Sequence, residues 1–159
     1  MASLDGEHSL LTKMIPYLDK HLIYPLLADS DPSPELTRLK YDLLKSTNMT
    51  DFVGGLEKEL KGLKEVPKDY DRKREEVLKK RAEYEEATDK LVRLLEDQDV
   101  VGNLRSDKVA NLNYLKTDHG VTEDMVNALY DFGKFQYECG AYDHAAELLY
   151  KFRVLVSMI

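Results

Sequence analysis

Apolar residues recur along this chain at intervals of three and four, and nowhere alternate with polar ones over the length of a strand. The pattern predicts an all-α fold. From Ser9, the positions Leu11, Met14 or Ile15, Leu18 and Leu22 trace a first helical stripe, which Pro16 and Pro25 are expected to divide into two short helices. Ala28–Pro34 reads as a loop by composition. Ser33, Pro34 and Glu35 then supply an N-cap, a first helical position and a first-turn acid for a helix that turns Leu36, Leu39, Leu43 and Leu44 inward. Thr50 and Asp51 are expected to cap the next helix, whose seam is Met49, Val53, Leu56, Leu60 and Leu63. Gly54 and Gly55 inside it cost about 1 kcal/mol each against alanine, so a neighbour's backbone is expected to approach closely there.

After Pro67 a pattern of about thirty residues, Lys68–Asp97, carries Tyr70, Val77, Tyr84 and Leu91 every seventh residue; Leu78, Ala87, Leu94 and Leu95 broaden the stripe. A helix of this length reaches about 40 Å. Its charges alternate in sign, and Glu75–Lys79, Glu76–Lys80 and Glu86–Lys90 are i,i+4 pairs in the favourable order. Two shorter helices are expected next, one around Val100, Val101 and Leu104, the other around Val109, Leu112 and Leu115, the latter stopped at His119–Gly120. Thr122 starts the last pair of helices. There Gly133, Gly140, Tyr142, Ala145 and Leu149 fall at offsets of seven, two, three and four. That ladder is close to a tetratricopeptide-type hairpin, in which one glycine admits the partner helix and another makes the turn. Ala145 and Ala146 are expected at the crossing, with Leu149, Phe152 and Leu155 continuing the inward stripe. The final helix runs out in Val154, Leu155, Val156, Met158 and Ile159 with no polar closing element, so the stack is expected to continue beyond it.

Composition narrows the chemistry. With 159 residues, 43% apolar and 33% charged, the chain has enough material for one core. We expect a flexible N-terminus over residues 1–8 and a single α-helical repeat domain over 9–159. One cysteine, Cys139, allows no internal disulfide and fits the cytoplasm, and equally the nucleus. No stretch is long and apolar enough to span a bilayer, and a net charge of −7 disfavours anionic membranes and phosphate backbones. His8, His21, His119 and His144 lack metal-ligand spacing, and no phosphate loop, dinucleotide fingerprint or nucleophile elbow occurs. Cys139 and His144 flank a tight turn, but without a third orienting group a structural thiol is the better reading. The expectation is a protein that is not an enzyme, with no cofactor and no metal. Basic residues cluster at Arg72–Arg74 and Lys79–Arg81, yet Glu75, Glu76, Glu83, Glu85 and Glu86 cancel their field; a solvated helix outweighs an RNA-binding stripe. Ile15, Leu18, Leu22 and Ile23 fit the spacing of a nuclear export signal poorly and read as core.

Three segments carry a resemblance. FQYECG at Phe135–Gly140, followed by a tyrosine, paired alanines and LLYKFRVL, resembles the N-terminal region of the e-subunit family of eukaryotic translation initiation factor 3; LDKHLIYPLL at Leu18–Leu27 and DLLKSTNMTDF at Asp42–Phe52 agree in order and spacing. The chain departs from that pattern at Gly54–Gly55 and over residues 64–100. The resemblance implies the N-terminal part of a PCI-type subunit, with its winged helix absent here. The fold it implies is a right-handed helical-repeat solenoid, tetratricopeptide- or HEAT-like, of eight or nine helices. It implies a non-catalytic scaffold in translation initiation whose partners are the factor's d subunit, its PCI subunits and, within the assembly, the small ribosomal subunit. A subunit of a related PCI assembly (the proteasome lid or the COP9 signalosome) and an RNA-binding adaptor remain open alternatives. The residue mix that protein interfaces favour singles out Tyr137, Tyr142, Tyr150, Phe152, Arg153, Leu155 and Ile159 as candidate partner-binding residues.

Overall fold

Eight α-helices and no strand make up the described residues, 17–28 and 32–156, of the computed structural model. They are α1 (Lys20–Ala28), α2 (Pro34–Leu44), α3 (Thr50–Leu60), α4 (Asp69–Leu94), α5 (Gln98–Asn103), α6 (Lys108–His119), α7 (Glu123–Glu138) and α8 (Tyr142–Leu155). The expected helical stripe before Leu18 lies outside the described residues. The chain forms two compact units that divide within α4, between Arg74 and Glu75.

In the first unit α2 begins as its sequence dictates. The Ser33 hydroxyl accepts the Leu36 N–H at 3.1 Å and Pro34 occupies the first turn. Leu36, Leu43 and Leu44 are buried against Ile23, Leu27 and Val53. Pro25 does not divide α1 as expected but lies exposed inside it. A proline forfeits one helical hydrogen bond. Here the Asp19 carboxylate holds the first turn, accepting the His21 and Leu22 N–H groups at 2.9 and 3.1 Å, and Ile23 and Leu27 anchor the helix in the core. The α3 cap also differs. Met49 is the N-cap and makes no side-chain cap bond, while Thr50 is already helical and buried. Thr47 does the bridging: its hydroxyl donates to the Leu44 carbonyl at 2.7 Å and accepts from the Met49 N–H at 3.3 Å. Gly62, at φ +61°, ends α3, so Leu63 falls beyond the seam and is exposed. A Cβ on Gly54 would lie 2.7 Å from Val66 Cγ1 and 3.2 Å from Tyr70 Cγ. The close approach is therefore real, but side chains make it. Gly55 faces open space and needs no such neighbour.

At 26 residues, α4 rises about 39 Å. Only Thr88 and Leu91 on it are buried; Tyr70, Val77 and Tyr84 are half-buried, and Leu78 and Ala87 are exposed, so the inward stripe is narrower than expected. The ion pairs along α4 are Arg81–Glu85 at 2.9 Å and Arg93–Asp89 at 2.8 Å, not the three expected ones. Two of those lysines have other engagements. Lys80 lies over the Tyr84 and Phe135 rings, and Lys90 donates to the Gly120 carbonyl at 3.2 Å.

The second unit packs Leu91, Val100, Leu115, Val126, Leu129, Phe132, Phe135, Leu148 and Leu155 into one apolar core. Asp97 and Asp107 cap α5 and α6, Gly120 ends α6 at φ +62°, and Thr122 caps α7. Val101 and Val109 point outward, against the stripes predicted for α5 and α6. Asn111 is buried instead. Its amide donates to the Arg105 and Val154 carbonyls at 2.9 and 3.2 Å and its oxygen accepts the Arg105 N–H at 2.7 Å, which ties α6 to the end of α8. The α7–α8 hairpin follows the ladder. A Cβ on Gly133 would lie 2.7 Å from Leu149 Cδ2, Gly140 turns the chain at φ +79°, and Ala145 is buried. Ala146 is exposed; one helix residue on, it lies about 100° around from Ala145.

Candidate interaction surface

On the outer side of the hairpin, α7 contributes Tyr130 and α8 contributes Ala146, Leu149, Tyr150, Phe152 and Arg153 to a hollow of about 420 Å³. Ala146, Tyr150 and Arg153 stand at helical spacing on one face of α8. The methyl-sized side chain of Ala146 leaves the space that the rings surround. The Tyr130 and Phe152 rings meet at 5.0 Å, and Lys134 Nζ lies 4.4 Å from the Tyr130 centroid while pairing with Asp131 at 2.9 Å. That hydrogen bond to the Asp131 carboxylate holds the Lys134 ammonium above its ordinary value. Tyr150 is 68% exposed. An apolar hollow ringed by tyrosine, phenylalanine and arginine matches the composition of interface anchors.

The candidate residues divide. Tyr150, Phe152 and Arg153 line the hollow together. Tyr137 and Tyr142 form a separate pair across the turn, ring centroids 5.6 Å apart and both half-buried. Leu155 is not at the surface: it is 1% exposed and packs in the core of the second unit, because the inward stripe continues to the end of α8. Ile159 lies outside the described residues. Tyr130 and Ala146 belong to the hollow without being among the candidates. An exposed alanine carries no distinguishing signal in sequence, and Tyr130 is one aromatic among many.

His144 Nδ1 is 3.0 Å from Gln136 Nε2 and its ring stands edge-on to Phe132. Burial raises the Cys139 thiol above its ordinary value. Among the described residues no group of histidine, cysteine and carboxylate side chains is placed to hold a metal ion. No described helix is long and apolar enough to cross a membrane. Of the basic cluster, Lys73 donates to the Thr47 carbonyl at 2.9 Å, Arg74 pairs with Asp51 at 3.3 Å and Arg81 with Glu85.

Known proteins are similar to this chain in sequence. Residues 9–136 match the family model described as "eIF3 subunit 6 N terminal domain". A relative from Aspergillus fumigatus, named as the E subunit of eukaryotic translation initiation factor 3, is 57% identical over 153 residues, which cover 94% of this chain and 34% of the relative. A relative of the same name from Phaeosphaeria nodorum is 57% identical over 158 residues, 96% of this chain and 36% of its own. The chain thus spans about a third of the length of the curated relatives it matches. The family model takes in most of the chain, across both units, and the chain belongs to the eIF3 subunit 6 N-terminal domain family.

Proposed function

We propose that this chain is the N-terminal region of a scaffold subunit of eukaryotic translation initiation factor 3, acting without catalysis through surfaces that hold neighbouring subunits. The observation that carries the reading is the 57% identity, over 94% of the chain, to relatives named as the E subunit of that factor. The architecture supports it. Paired helices spend their buried face on each other, and the hollow beside Tyr150 and Arg153 has an anchor's composition without a set of reacting groups. In this reading residues 9–159 work as one helical-repeat domain in the cytoplasm, and also in the nucleus. The neighbours are the factor's d subunit and its PCI subunits, through which the assembly meets the small ribosomal subunit and recruits mRNA.

Crosslinking mass spectrometry on the native assembly tests this directly. Crosslinks from Lys134, which lies over the Tyr130 ring at the edge of the hollow, to other initiation-factor subunits are expected, and they should persist after ribonuclease treatment. A double substitution, Tyr150→Ala with Arg153→Glu, should remove them while leaving the helical spectrum intact. Failure of the tagged chain to co-purify with any initiation-factor subunit would overturn the reading.

A further inference from the structure

A second surface on the other flank of α7 has a different chemistry. In the second unit α4 and α7 run antiparallel: Lys80 reaches the Phe135 ring near the end of α7, and Lys90 reaches Gly120 just before its start. Between them lies an open groove of about 400 Å³. Glu83, Tyr84 and Ala87 border it on α4, and Asp124, Ala128 and Asp131 on α7. Each set follows the spacing of a single helix face. Ala87 and Ala128 keep the middle of the groove shallow-sided, and Tyr84 is held from beneath, stacked on Phe132 at 5.7 Å and tilted on Phe135 at 5.3 Å. The groove is thus built on the core.

Its charge is one-sided. Three carboxylates, Glu83, Asp124 and Asp131, line it against one cation, Lys80. Lys80 lies over aromatic faces, and Asp131 pairs with Lys134 in an exposed, exchangeable contact. Glu83 and Asp124 take part in no ion pair among the described residues. Phosphate backbones and acidic lipids are repelled by such a lining. We propose that this groove receives a basic amphipathic helix from a protein partner. Asp124 and Asp131 lie seven residues apart, about 10 Å along α7. The complementary helix therefore carries lysine or arginine at positions i and i+7, one reaching between Glu83 and Asp131 and the other reaching Asp124. A small or branched apolar residue at i+3 or i+4 sits over Ala87 and Ala128. The inference is independent of the hollow beside Tyr150, which lies on other residues and is uncharged apart from Arg153.

The test is calorimetric titration of the whole chain with an alanine-based helical peptide that has lysines at i and i+7 and leucine at i+4, against the same composition scrambled. The patterned peptide should bind at low salt and weaken as salt rises. Reversing both charges, Glu83→Lys with Asp124→Lys, should weaken it roughly five- to tenfold. Reversing Glu76 and Glu147, outside the groove, should leave it nearly unchanged. Ala128→Phe, which fills the groove without changing charge, should also abolish binding, with circular dichroism confirming that the helices are retained. Equal binding of the scrambled peptide, equal loss from the Glu76 and Glu147 reversals, or indifference to Ala128→Phe would each overturn the proposal and leave only diffuse attraction to an acidic protein. Spermine competing as strongly as the peptide would likewise overturn it, as a site for free cations.

Discussion

Gly54 in the first unit and Gly133 in the second each lie under side chains from another segment, but what covers them differs. Over Gly133 stands Leu149, with Leu148 beside it, and both are apolar. Over Gly54 stand Val66 and the Tyr70 ring, and the Tyr70 hydroxyl goes on to donate to the buried Glu57 carboxylate. Tyr41 donates to the same carboxylate at 3.1 Å, and Lys61, just past the end of α3, pairs with it. Among the described residues the first unit therefore adds a charged knot to a smaller apolar core, whereas the buried polar side chains of the second, Thr88, Asn111 and Gln136, are all neutral. A buried carboxylate is tolerated only while its partners satisfy it. Hydrogen bonds from Lys61, then Tyr70, hold the Glu57 carboxyl below its usual value of 4.5, and burial together with that bond pushes the Tyr70 phenol upward. One unit's stability is coupled to ionisation. The other's is not.

The largest effect should come from the apolar core of the second unit. Leu148→Ala empties a fully buried position and should cost about 2–5 kcal/mol. Hydrogen exchange should show lost protection across α7 and α8 with α2 and α3 unaffected. Equal loss in both units would erase the distinction, because it would mean that they unfold together. Next comes Glu57→Gln, which keeps the shape and removes the charge; it should cost about 1–2 kcal/mol at neutral pH, confined to the first unit. Because the folded carboxyl titrates below the unfolded one, its contribution is complete above 4.5 and drains away as pH falls through the lower folded value. Acid should accordingly weaken protection in α2 and α3 of the native chain, and the Gln variant should flatten that slope. An unaltered slope would sink the coupling.

Smaller effects sharpen the glycine comparison. Gly133→Ala must displace Leu149, whose Cγ would lie 2.8 Å from the new Cβ; about 1–3 kcal/mol of overpacking sets against about 1 kcal/mol of helix propensity. Net destabilisation is expected. Gly55→Ala meets nothing and should raise the melting temperature, gaining up to about 1 kcal/mol. If both variants melt alike, close packing is not what Gly133 serves. Smallest of all, Tyr150→Ala should change stability by no more than about 0.5 kcal/mol, since the ring is largely solvated. A loss like that of Leu148→Ala would make Tyr150 a core residue and remove it from the interaction surface.

Much of the local structure was legible because it is decided by neighbours in sequence. The Ser33–Pro34 start, the Gly120 stop, the Thr122 cap and the Gly140 turn depend on residues within a few positions of each other, and all stand where their chemistry puts them. The misreadings share another cause. Pro25 inside α1, outward Leu78 and Val109, and the exposed Ala146 are each settled by what packs beside them. Of the candidate surface, the aromatic and arginine residues of α8 were visible as a residue mix. The hollow itself was not, since its shape depends on Tyr130 from the preceding helix and on the smallness of Ala146.

Sequence alone determined the all-helical class, most helix starts and stops, the hairpin's two working glycines and the family to which the chain belongs, because periodicity, capping and motif spacing are local and survive without a partner in view. Tertiary structure alone decided which apolar residues face inward, which lysines abandon their helical neighbours for rings and carbonyls, and how Tyr41, Lys61 and Tyr70 meet on Glu57. Those outcomes turn on distances between segments far apart in the chain, and a side chain's energy is set by the atoms it touches rather than by its place in the order of residues.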